Sequence, residues 1–411
     1  MDFNITVVGN TSVGKTTLIH RLLQCEDEDE PKRPYYHFKS GDFTFNLVET
    51  SGSLKKVNRL ASKILKTDVI IFLFNIVEED NKYMLEDDEE KPKTVYKSCL
   101  EALFELVRCM GLQKRIIYCL NKVDHDLVEY SPELIKRCKR ALYTQIKGYF
   151  IDSLPQPMVV TSALKNENVL DNNNPDIDKT CIMEHLLKIA GEIADERRSS
   201  LIAKHLPLRL SVMCSHKVMG VGTIVQGNVV SGSVKRNDEV VIYPSGKTTK
   251  VKSIQKYGEE RNSGTTTEIV ALALQGVSRR DVPKGVVISH FNSTIKREYN
   301  AAVVTLNVLF SFNGFYKQYK FNLLGYNSHV PCTIHRIIKK VTYDVEYREE
   351  NADDLRVDTG AVCTAEIRFE KPVFLEHYRE LPELGRFILA DNNVNVAYGV
   401  IDDLISLNNI H

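Results

Sequence analysis

The stretch that most constrains the fold of this chain lies at its start, where a short apolar run leads through a glycine-containing loop into a helical pattern. The apolar run is Asn4–Val8, and the loop Gly9-Asn10-Thr11-Ser12-Val13-Gly14-Lys15-Thr16-Thr17 follows it directly. The spacing G-x-x-x-x-G-K-T between a strand and a helix predicts a phosphate-binding loop, because backbone N–H groups of the loop and of the helix start can surround a phosphate. An ordinary glycine turn is the alternative.

The residue types in this loop also predict which side chains contact the phosphates and the metal ion. Lys15 can reach the outer phosphates of a nucleotide, and the Thr16 hydroxyl can be a ligand of Mg²⁺. The loop residues predicted to contact a nucleotide are Asn10, Thr11, Ser12, Val13, Gly14, Lys15, Thr16 and Thr17.

Composition limits the class of protein. The chain has 411 residues and equal numbers of basic and acidic residues, so its formal net charge is zero. This excludes a global basic field, and any contact with nucleic acid would need local patches. The nine cysteines form no C-x-x-C pair. They predict buried thiols in a reducing compartment. The start, Met1-Asp2-Phe3-Asn4, has no secretion-signal pattern, and no long apolar run follows. We therefore expect a soluble, cytoplasmic protein without a membrane span.

A second strand end carries an acidic residue and a glycine. The run Asp42–Val48 is followed by Glu49-Thr50-Ser51-Gly52. In P-loop proteins that bind guanine nucleotides, this position carries D-x-x-G, whose carboxylate holds Mg²⁺ through water and whose glycine N–H senses the terminal phosphate. Glu49 and Gly52 are predicted to take these roles, with Glu49 one methylene longer than the usual Asp. A strand that merely ends in a polar turn is the alternative.

The residues at a third strand end predict which nucleotide base the protein recognises. The apolar run Arg115–Leu120 leads into Asn121-Lys122-Val123-Asp124. The Asp124 carboxylate can accept both the N1 and N2 protons of guanine, while Asn121 and the Lys122 stem brace the loop and cover the base. Adenine offers no such pair of donors. A charged loop between strand and helix is the alternative.

The rest of the first domain alternates between strands and helices. A strand at Met158–Val160 leads to Ser162-Ala163-Leu164, where the Ala163 N–H is predicted to meet the base carbonyl. The last helix is predicted over Ile182–Ile193, and Ser199–Pro207 is predicted as a linker. The alternation indicates a doubly wound α/β domain.

Beyond the linker, short alternating runs separated by Gly, Asn, Asp and Pro replace the helical period. Gly220–Lys235 and Asp238–Pro244 are typical of strands with glycine corners, as a small closed barrel requires. A second set runs from Tyr299 to Ile401. The predicted domains are therefore a P-loop domain over 1–198, a first barrel over 205–292 and a second over 297–411.

Taken together, these motifs give the chain a resemblance to a known family, the translational GTPases of the EF-Tu and elongation factor 1 alpha superfamily. The motifs in their order are the P-loop, E-T-S-G, N-K-V-D and S-A-L, then the glycine pattern Gly220–Gly232, V-x-x-x-D-V-P-K-G and E-L-G-R-F at Glu383–Phe387. The resemblance implies an α/β P-loop GTPase domain with a doubly wound sheet, followed by two all-β barrel domains. The C-terminal run suggests the branch of eukaryotic release factor 3 and the ribosome-rescue GTPase that partners Pelota.

Departures from that family concern hydrolysis. The family has Asp where this chain has Ser12, and D-x-P-G-H where this chain has Glu49-Thr50-Ser51-Gly52-Ser53. The missing histidine orients the attacking water, and the family's first switch threonine has no counterpart between Thr17 and Glu49. We expect GTP or GDP binding, weakened Mg²⁺ retention at Thr16 and Glu49, impaired hydrolysis and no assigned catalytic residue.

Two functional classes remain open. The first is a ribosome-associated factor that is monomeric and works with a tRNA or a tRNA-mimicking release or rescue factor. The second is a pseudo-GTPase adaptor of the same fold in RNA surveillance or ribosome binding.

Overall fold

The computed structural model of the protein describes residues 1–24, 36–50, 60, 63–77, 104, 107, 115–149, 157–199, 206–293, 299–309, 311, 314–342, 345–348, 355–392 and 394–406. Gly52, predicted to contact the terminal phosphate, and Ser53 lie outside these residues. The chain divides into two compact units, Met1–Arg197 and Arg198–His411.

The first unit is built on one sheet. Its described elements are β1 (Asp2–Val8), α1 (Lys15–Leu23), β2 (Tyr36–Ser40), β3 (Phe43–Glu49), β4 (Val69–Asn75), β5 (Ile116–Asn121), α2 (Pro132–Tyr149), β6 (Met158–Thr161) and α3 (Ile182–Ser199). The six strands lie in the order β2-β3-β1-β4-β5-β6. Neighbours from β3 to β6 are parallel, and β2 pairs antiparallel with β3 at the edge.

Helices cover both faces of this sheet. Every residue of β4 is buried, as a strand covered on two sides requires. On one face, Leu18 of α1 and Leu186 of α3 share a core with Ile71. On the other face, Phe72 stacks on Phe104 with ring centroids 4.9 Å apart. The sheet is therefore doubly wound, as predicted, and the carboxyl ends of β1, β3 and β5 meet at one edge.

Helix α3 is longer than the sequence pattern predicts. It ends at Ser199 and not near Ile193. Ala194 is buried in the core, and Arg197 donates to the Asp68 carboxylate at 2.5 Å. These contacts extend the helix by six residues, so that the predicted linker begins with a helical residue.

The second unit contains two sheets that close into barrels. Its strands are β7 (Arg209–Val218), β8 (Gly222–Ser231), β9 (Ser233–Lys235), β10 (Glu239–Tyr243), β11 (Lys247–Lys256), β12 (Glu259–Arg261), β13 (Ser263–Thr265), β14 (Ile269–Leu274), β15 (Val287–His290), β16 (Tyr299–Val308), β17 (Lys320–Leu324), β18 (His329–Thr342), β19 (Val345–Arg348), β20 (Val362–Val373), β21 (Arg386–Asp391) and β22 (Val394–Ile405), with the one-turn helix α4 (Pro382–Gly385) before β21. The pairing of β10 with β11 closes the first barrel, and the pairing of β17 with β18 closes the second.

The two barrels pack against each other through an apolar layer and buried polar contacts. Tyr243 of the first barrel stacks on Phe374 of the second, with ring centroids 5.5 Å apart. Arg209 Nε donates to Glu376 Oε1 at 2.7 Å, and both side chains are only 8% exposed. Asn228 Nδ2 donates to the Tyr326 hydroxyl at 2.7 Å. These buried contacts hold the two barrels of the second unit against each other.

Two expectations from composition can be compared with the described residues. Five of the six described cysteines are buried, Cys214 is half-buried, and none of the six forms a disulfide. None of the described helices has the length and apolar character needed to cross a membrane.

Candidate functional site

The predicted phosphate loop lies between β1 and α1. Gly14 has φ of 96° and directly precedes the helix, which is a backbone conformation that favours glycine. The first backbone hydrogen bond of the helix runs from Leu18 N–H to Gly14 O at 2.9 Å. The N–H groups of Thr16 and Thr17 therefore precede the helical ladder, and the first turn carries no acidic residue. Such a helix start can bind an anion.

Lys15 lies inside the loop. Its side chain is buried, and Nζ donates to the carbonyls of Gly9 at 3.1 Å and Asn10 at 2.5 Å. The backbone of the phosphate loop therefore surrounds the ammonium group of Lys15. Gly9 is required here because a Cβ atom would come within 2.4 Å of the Leu73 carbonyl oxygen on β4. Ser12, where the resembling family has Asp, has φ of 63°.

The two predicted metal ligands lie side by side. Parallel pairing of β1 with β3 places Glu49 opposite Val7, at the strand end that leads into the loop. Thr16 Oγ1 donates to Glu49 Oε1 at 2.7 Å, and Lys63 Nζ donates to the Glu49 carbonyl. A hydroxyl and a carboxylate are the hard oxygen donors that Mg²⁺ prefers. The pair therefore fits a magnesium ion next to the phosphate loop.

Asn121 connects the phosphate loop to the predicted base loops. It is buried at the end of β5, and its Nδ2 donates to the Val13 carbonyl at 2.8 Å. Its Oδ1 accepts from Ala163 N–H at 2.9 Å and from the Thr161 hydroxyl at 3.3 Å. One side chain thus fixes three segments of the site. Lys122, with φ of 70°, and the half-buried Asp124 follow it.

The Ser162–Leu164 turn is held by side chains as well as by Asn121. The Ser162 hydroxyl accepts from Lys165 N–H at 3.1 Å. Arg21 on α1 donates from Nε to the Ala163 carbonyl at 3.2 Å and from Nη2 to the Leu164 carbonyl at 2.7 Å. Sequence reasoning did not find Arg21. The N–H of Ala163, predicted to meet a base carbonyl, donates to Asn121 in this structure.

A second group that sequence reasoning missed lies beside the base loops. The Tyr130 hydroxyl donates to Glu167 Oε2 at 2.8 Å, and Lys165 Nζ lies 4.9 Å from the centre of the Tyr130 ring. Partial burial and the Glu167 carboxylate raise the pKa of Tyr130. Contact with the Tyr130 hydroxyl raises the pKa of Lys165, and attraction to Asp124 adds to this. The Lys165 ammonium therefore lies against the Tyr130 ring, beside the base loops.

The structure brings together all of the predicted site residues that it describes. They lie at the carboxyl edge of the sheet: at the last residues of β3 and β5, in the loops after β1, β5 and β6, and in the first turn of α1. No cluster of three metal-binding side chains of the His, Cys, Asp or Glu type occurs among the residues described. The arrangement offers N–H donors and a lysine for phosphates at one end and a carboxylate for a base at the other.

Comparison with known families matches both β domains. Residues 222–289 match the family model of elongation factor Tu domain 2, and residues 299–402 match the GTP-eEF1A C-terminal domain-like model. Elongation factor 1-alpha from Methanocaldococcus jannaschii is 26% identical over 98% of this chain and 98% of its own length. The corresponding factor from Methanosarcina mazei is 26% identical over 97% of this chain and 96% of its own length.

Solved structures share the fold. Translation elongation factor SelB from Methanococcus maripaludis aligns with a TM-score of 0.68 at 18% identity, over 99% of this chain and 81% of SelB. A bacterial selenocysteine-specific elongation factor, EF-Sec, aligns with a TM-score of 0.67 at 17% identity, over 98% of this chain. The chain spans 58% of the length of that bacterial factor. At these identities, the similarity shows the fold alone.

The family domains cover the two barrels, and the relatives align over nearly the whole chain, including the P-loop unit. The chain is therefore similar, by the models matched in its barrels and by relatives at 26% identity over nearly its whole length, to translational GTPases of the EF-Tu and elongation factor 1 alpha family.

Proposed function

We propose that this protein binds GTP and GDP and acts at the ribosome as a translation factor, with weak or absent GTP hydrolysis. The observation that carries the proposal is the position of Asn121, which ties the phosphate loop at Val13 to the base turn at Ala163. A site that joins these two ends in one rigid network is suited to a nucleotide and not to a phosphate ion alone.

The residues present fit Mg²⁺ as a companion of the nucleotide. Thr16 and Glu49 would hold the ion, because their oxygens lie 2.7 Å apart beside the helix start. When bound, Mg²⁺ neutralises charge on the outer phosphates. Lys15 serves the same purpose from within the loop, and the N–H groups of Thr16 and Thr17 orient the phosphates. We propose the same nucleotide-contacting role for Asn10–Gly14 and for Gly52.

Weak hydrolysis follows from what the sequence lacks. Ser53 stands where the family's histidine would orient the attacking water, and its side chain is too short for that role. The stretch between Thr17 and Glu49 carries no counterpart of the switch threonine that completes the Mg²⁺ shell. Because phosphoryl transfer depends on positioning the water and stabilising charge, both losses lower the rate.

The two barrels support a partner at the ribosome. Their buried contacts, including Arg209 with Glu376, present them as a single surface. We propose a tRNA or a tRNA-mimicking release or rescue factor as partner, a monomeric chain and a cytoplasmic location without membrane contact. The run Glu383–Phe387 motivates the release-factor and rescue branch. Its Gly385 is required, since a Cβ atom would come within 2.4 Å of the Tyr378 Cα atom.

A pseudo-GTPase adaptor is the second candidate. The absence of the switch threonine and of the histidine favours it, whereas the complete network of Lys15, Thr16 and Asn121 favours nucleotide binding. The two candidates differ in one measurable respect. A translation factor binds ribosomes in a way that depends on the nucleotide site, and an adaptor binds its partner regardless of that site.

The test combines nucleotide titration with ribosome co-sedimentation. The parent protein is titrated with GDP and ADP, and then sedimented with ribosomes. Lys15→Met should abolish GDP binding, while Lys179→Met, an exposed lysine in the same unit, should not change it. Ribosome binding that is lost with Lys15→Met supports the factor. Ribosome binding that is unchanged by Lys15→Met supports the adaptor, and failure of the parent to bind either GDP or ribosomes contradicts the proposal.

A further inference from the structure

The outer face of helix α2 carries a row of basic side chains. Lys136, Arg140 and Lys147 are exposed, and Tyr143, between the last two, is 41% exposed. Spacings of four, three and four residues place these four side chains on one side of an α-helix. We call them the basic stripe, which is about 16 Å long because each residue advances a helix by about 1.5 Å. The opposite side of α2 is buried at Ile135, Cys138 and Leu142.

Helix stability does not account for the basic stripe. Like charges four residues apart, such as Lys136 and Arg140, repel each other and destabilise a helix. Lys147 lies in the last turn, where a cation interacts favourably with the helix dipole, but the other two basic residues lie too far from that end to benefit. No acidic partner of the three basic side chains occurs among the residues that the structure describes.

Helix α3 shows the opposite pattern in the same unit. It also has 18 residues, and four of its five exposed charged residues are acidic. These five are Glu184, Lys188, Glu192, Asp195 and Glu196. Glu184, Lys188 and Glu192 alternate in sign at four-residue spacing, which stabilises a helix. The exposed faces of two helices of equal length therefore differ in the sign of their charge, although the whole chain has no net charge.

We propose that the basic stripe binds the phosphate backbone of RNA. A polynucleotide carries a phosphate at every residue, so that a straight row of cations about 16 Å long meets several phosphates in any sequence. Lys and Arg are the usual side chains that contact phosphates, and a Tyr hydroxyl can also donate to a phosphate oxygen. The choice of RNA over DNA rests on the proposed function at the ribosome.

An acidic protein segment fits the basic stripe less well. Interfaces between proteins derive most of their binding free energy from a few side chains, often aromatic, that fill pockets on the partner. The basic stripe consists of three charged side chains and one aromatic side chain, Tyr143. It therefore offers charge and hydrogen-bond donors but little apolar surface.

The test compares the full chain with two triple variants, each of which loses three positive charges. The stripe variant combines Lys136→Gln, Arg140→Gln and Lys147→Gln. The control variant combines Lys39→Gln, Lys179→Gln and Lys188→Gln, which are exposed lysines elsewhere in the same unit. Because the stripe variant removes repulsion within α2, it should not unfold at a lower temperature than the parent. If it does, the single variant Lys136→Gln replaces it, with about a third of the expected effect.

Binding is measured with an RNA duplex of about 20 base pairs at several salt concentrations, and with a polyglutamate peptide. Each phosphate contact contributes about 0.7–0.9 to the slope of log affinity against log salt concentration. We expect the stripe variant to bind the RNA at least about tenfold more weakly and to lower this slope by about two to three. The control variant should keep the slope of the parent.

Two results would overturn the inference. Equal weakening of RNA binding by the two triple variants, or no RNA binding by the parent, would show that the basic stripe is not an RNA site. Binding of polyglutamate that is tighter than binding of RNA and is lost in the stripe variant would identify an acidic protein partner instead. The same proteins are sedimented with ribosomes. A parent that binds the RNA through the basic stripe but does not bind ribosomes would contradict the proposed function and leave the RNA site standing.

Discussion

Gly14 lies directly against the side chain of Asn121: a Cβ atom on Gly14 would come within 2.6 Å of Asn121 Nδ2. The same amide donates to the carbonyl of Val13, the residue before Gly14. The phosphate loop can approach the base loops this closely only because position 14 has no side chain. Gly14 therefore meets two requirements: it adopts a left-handed backbone with φ of 96°, and it leaves space for the side-chain amide of Asn121.

Gly14→Ala should reduce both stability and GDP affinity. The left-handed backbone costs an alanine about 1–2 kcal/mol, and displacement of Asn121 loosens the contact between the two ends of the site. Gly41→Ala is the matched control, because Gly41 has φ of 58° and no atom within 4 Å of its Cβ position. Calorimetric titration with GDP and thermal unfolding check this. Equal loss of GDP affinity in both variants would show that contact with Asn121 is unimportant.

Asp124→Ala should weaken GDP binding by about 1.5–3 kcal/mol or more, the scale of a charge-assisted hydrogen bond. The reason is the loss of the acceptor for N1–H and N2–H of guanine. Asp126→Ala, an exposed acid in the same loop, should leave the affinity unchanged. The measurement is competition with labelled GDP. The assignment would be wrong if the parent bound ADP and GDP equally.

The sequence predicted the strands and the motif residues, but not the contacts that connect them. The run Val69–Phe74 is continuous and apolar, and a strand is found there because burial on both faces needs that pattern. Arg21 was missed because its acceptor at Leu164 is 143 residues away along the chain. Lys165 and Tyr130 were missed for the same reason, and the end of α3 depends on the distant Asp68.

Arg209→Met should destabilise the second unit by about 3–5 kcal/mol at neutral pH, since it leaves the buried Glu376 carboxylate without its ion-pair partner. The control is Arg236→Met, which removes an exposed pair with Glu260 and should cost about 1 kcal/mol or less. Denaturant unfolding provides both values. Similar losses in the two variants would argue against a structural role for the buried pair.

The same variant should also change the pH dependence of stability. Burial raises the pKa of Glu376, while Arg209 and His377 lower it and Glu380 raises it. Removal of Arg209 raises the pKa of Glu376 further. A raised pKa in the folded state means that stability is present at low pH and is lost as the pH rises through that pKa. The loss caused by Arg209→Met should therefore be smaller at pH 4 than at pH 7. A loss that is independent of pH would contradict this.

Ribosomes should stimulate GTP hydrolysis by this protein weakly or not at all, although nucleotide binding is measurable. The sequence has no histidine after Gly52 and no switch threonine between Thr17 and Glu49. Single-turnover hydrolysis with and without ribosomes measures the rate. A stimulated rate on the order of 1 s⁻¹ or faster is typical of a competent phosphoryl-transfer site. Such a rate would show that another residue orients the water.

Partner binding should depend little on whether GTP or GDP is bound. A ligand shifts an equilibrium only by its differential affinity for the two states. The γ-phosphate can therefore change partner binding only through a protein surface whose conformation depends on it. The family's first switch provides such a surface, and the shortened interval between Thr17 and Glu49 has no counterpart of it. The barrels, by contrast, are complete and joined through Arg209 and Glu376.

The coupling can be measured as ribosome affinity of the full chain with GDP and with a non-hydrolysable GTP analogue. We expect less than a tenfold difference, which corresponds to less than about 1.4 kcal/mol of coupling free energy. Lys15→Met is the control that should not bind nucleotide, and Lys179→Met is the control that should still bind it. A difference of tenfold or more that Lys15→Met abolishes would show that the nucleotide unit still switches. The γ-phosphate would then act through residues other than those of the family's first switch.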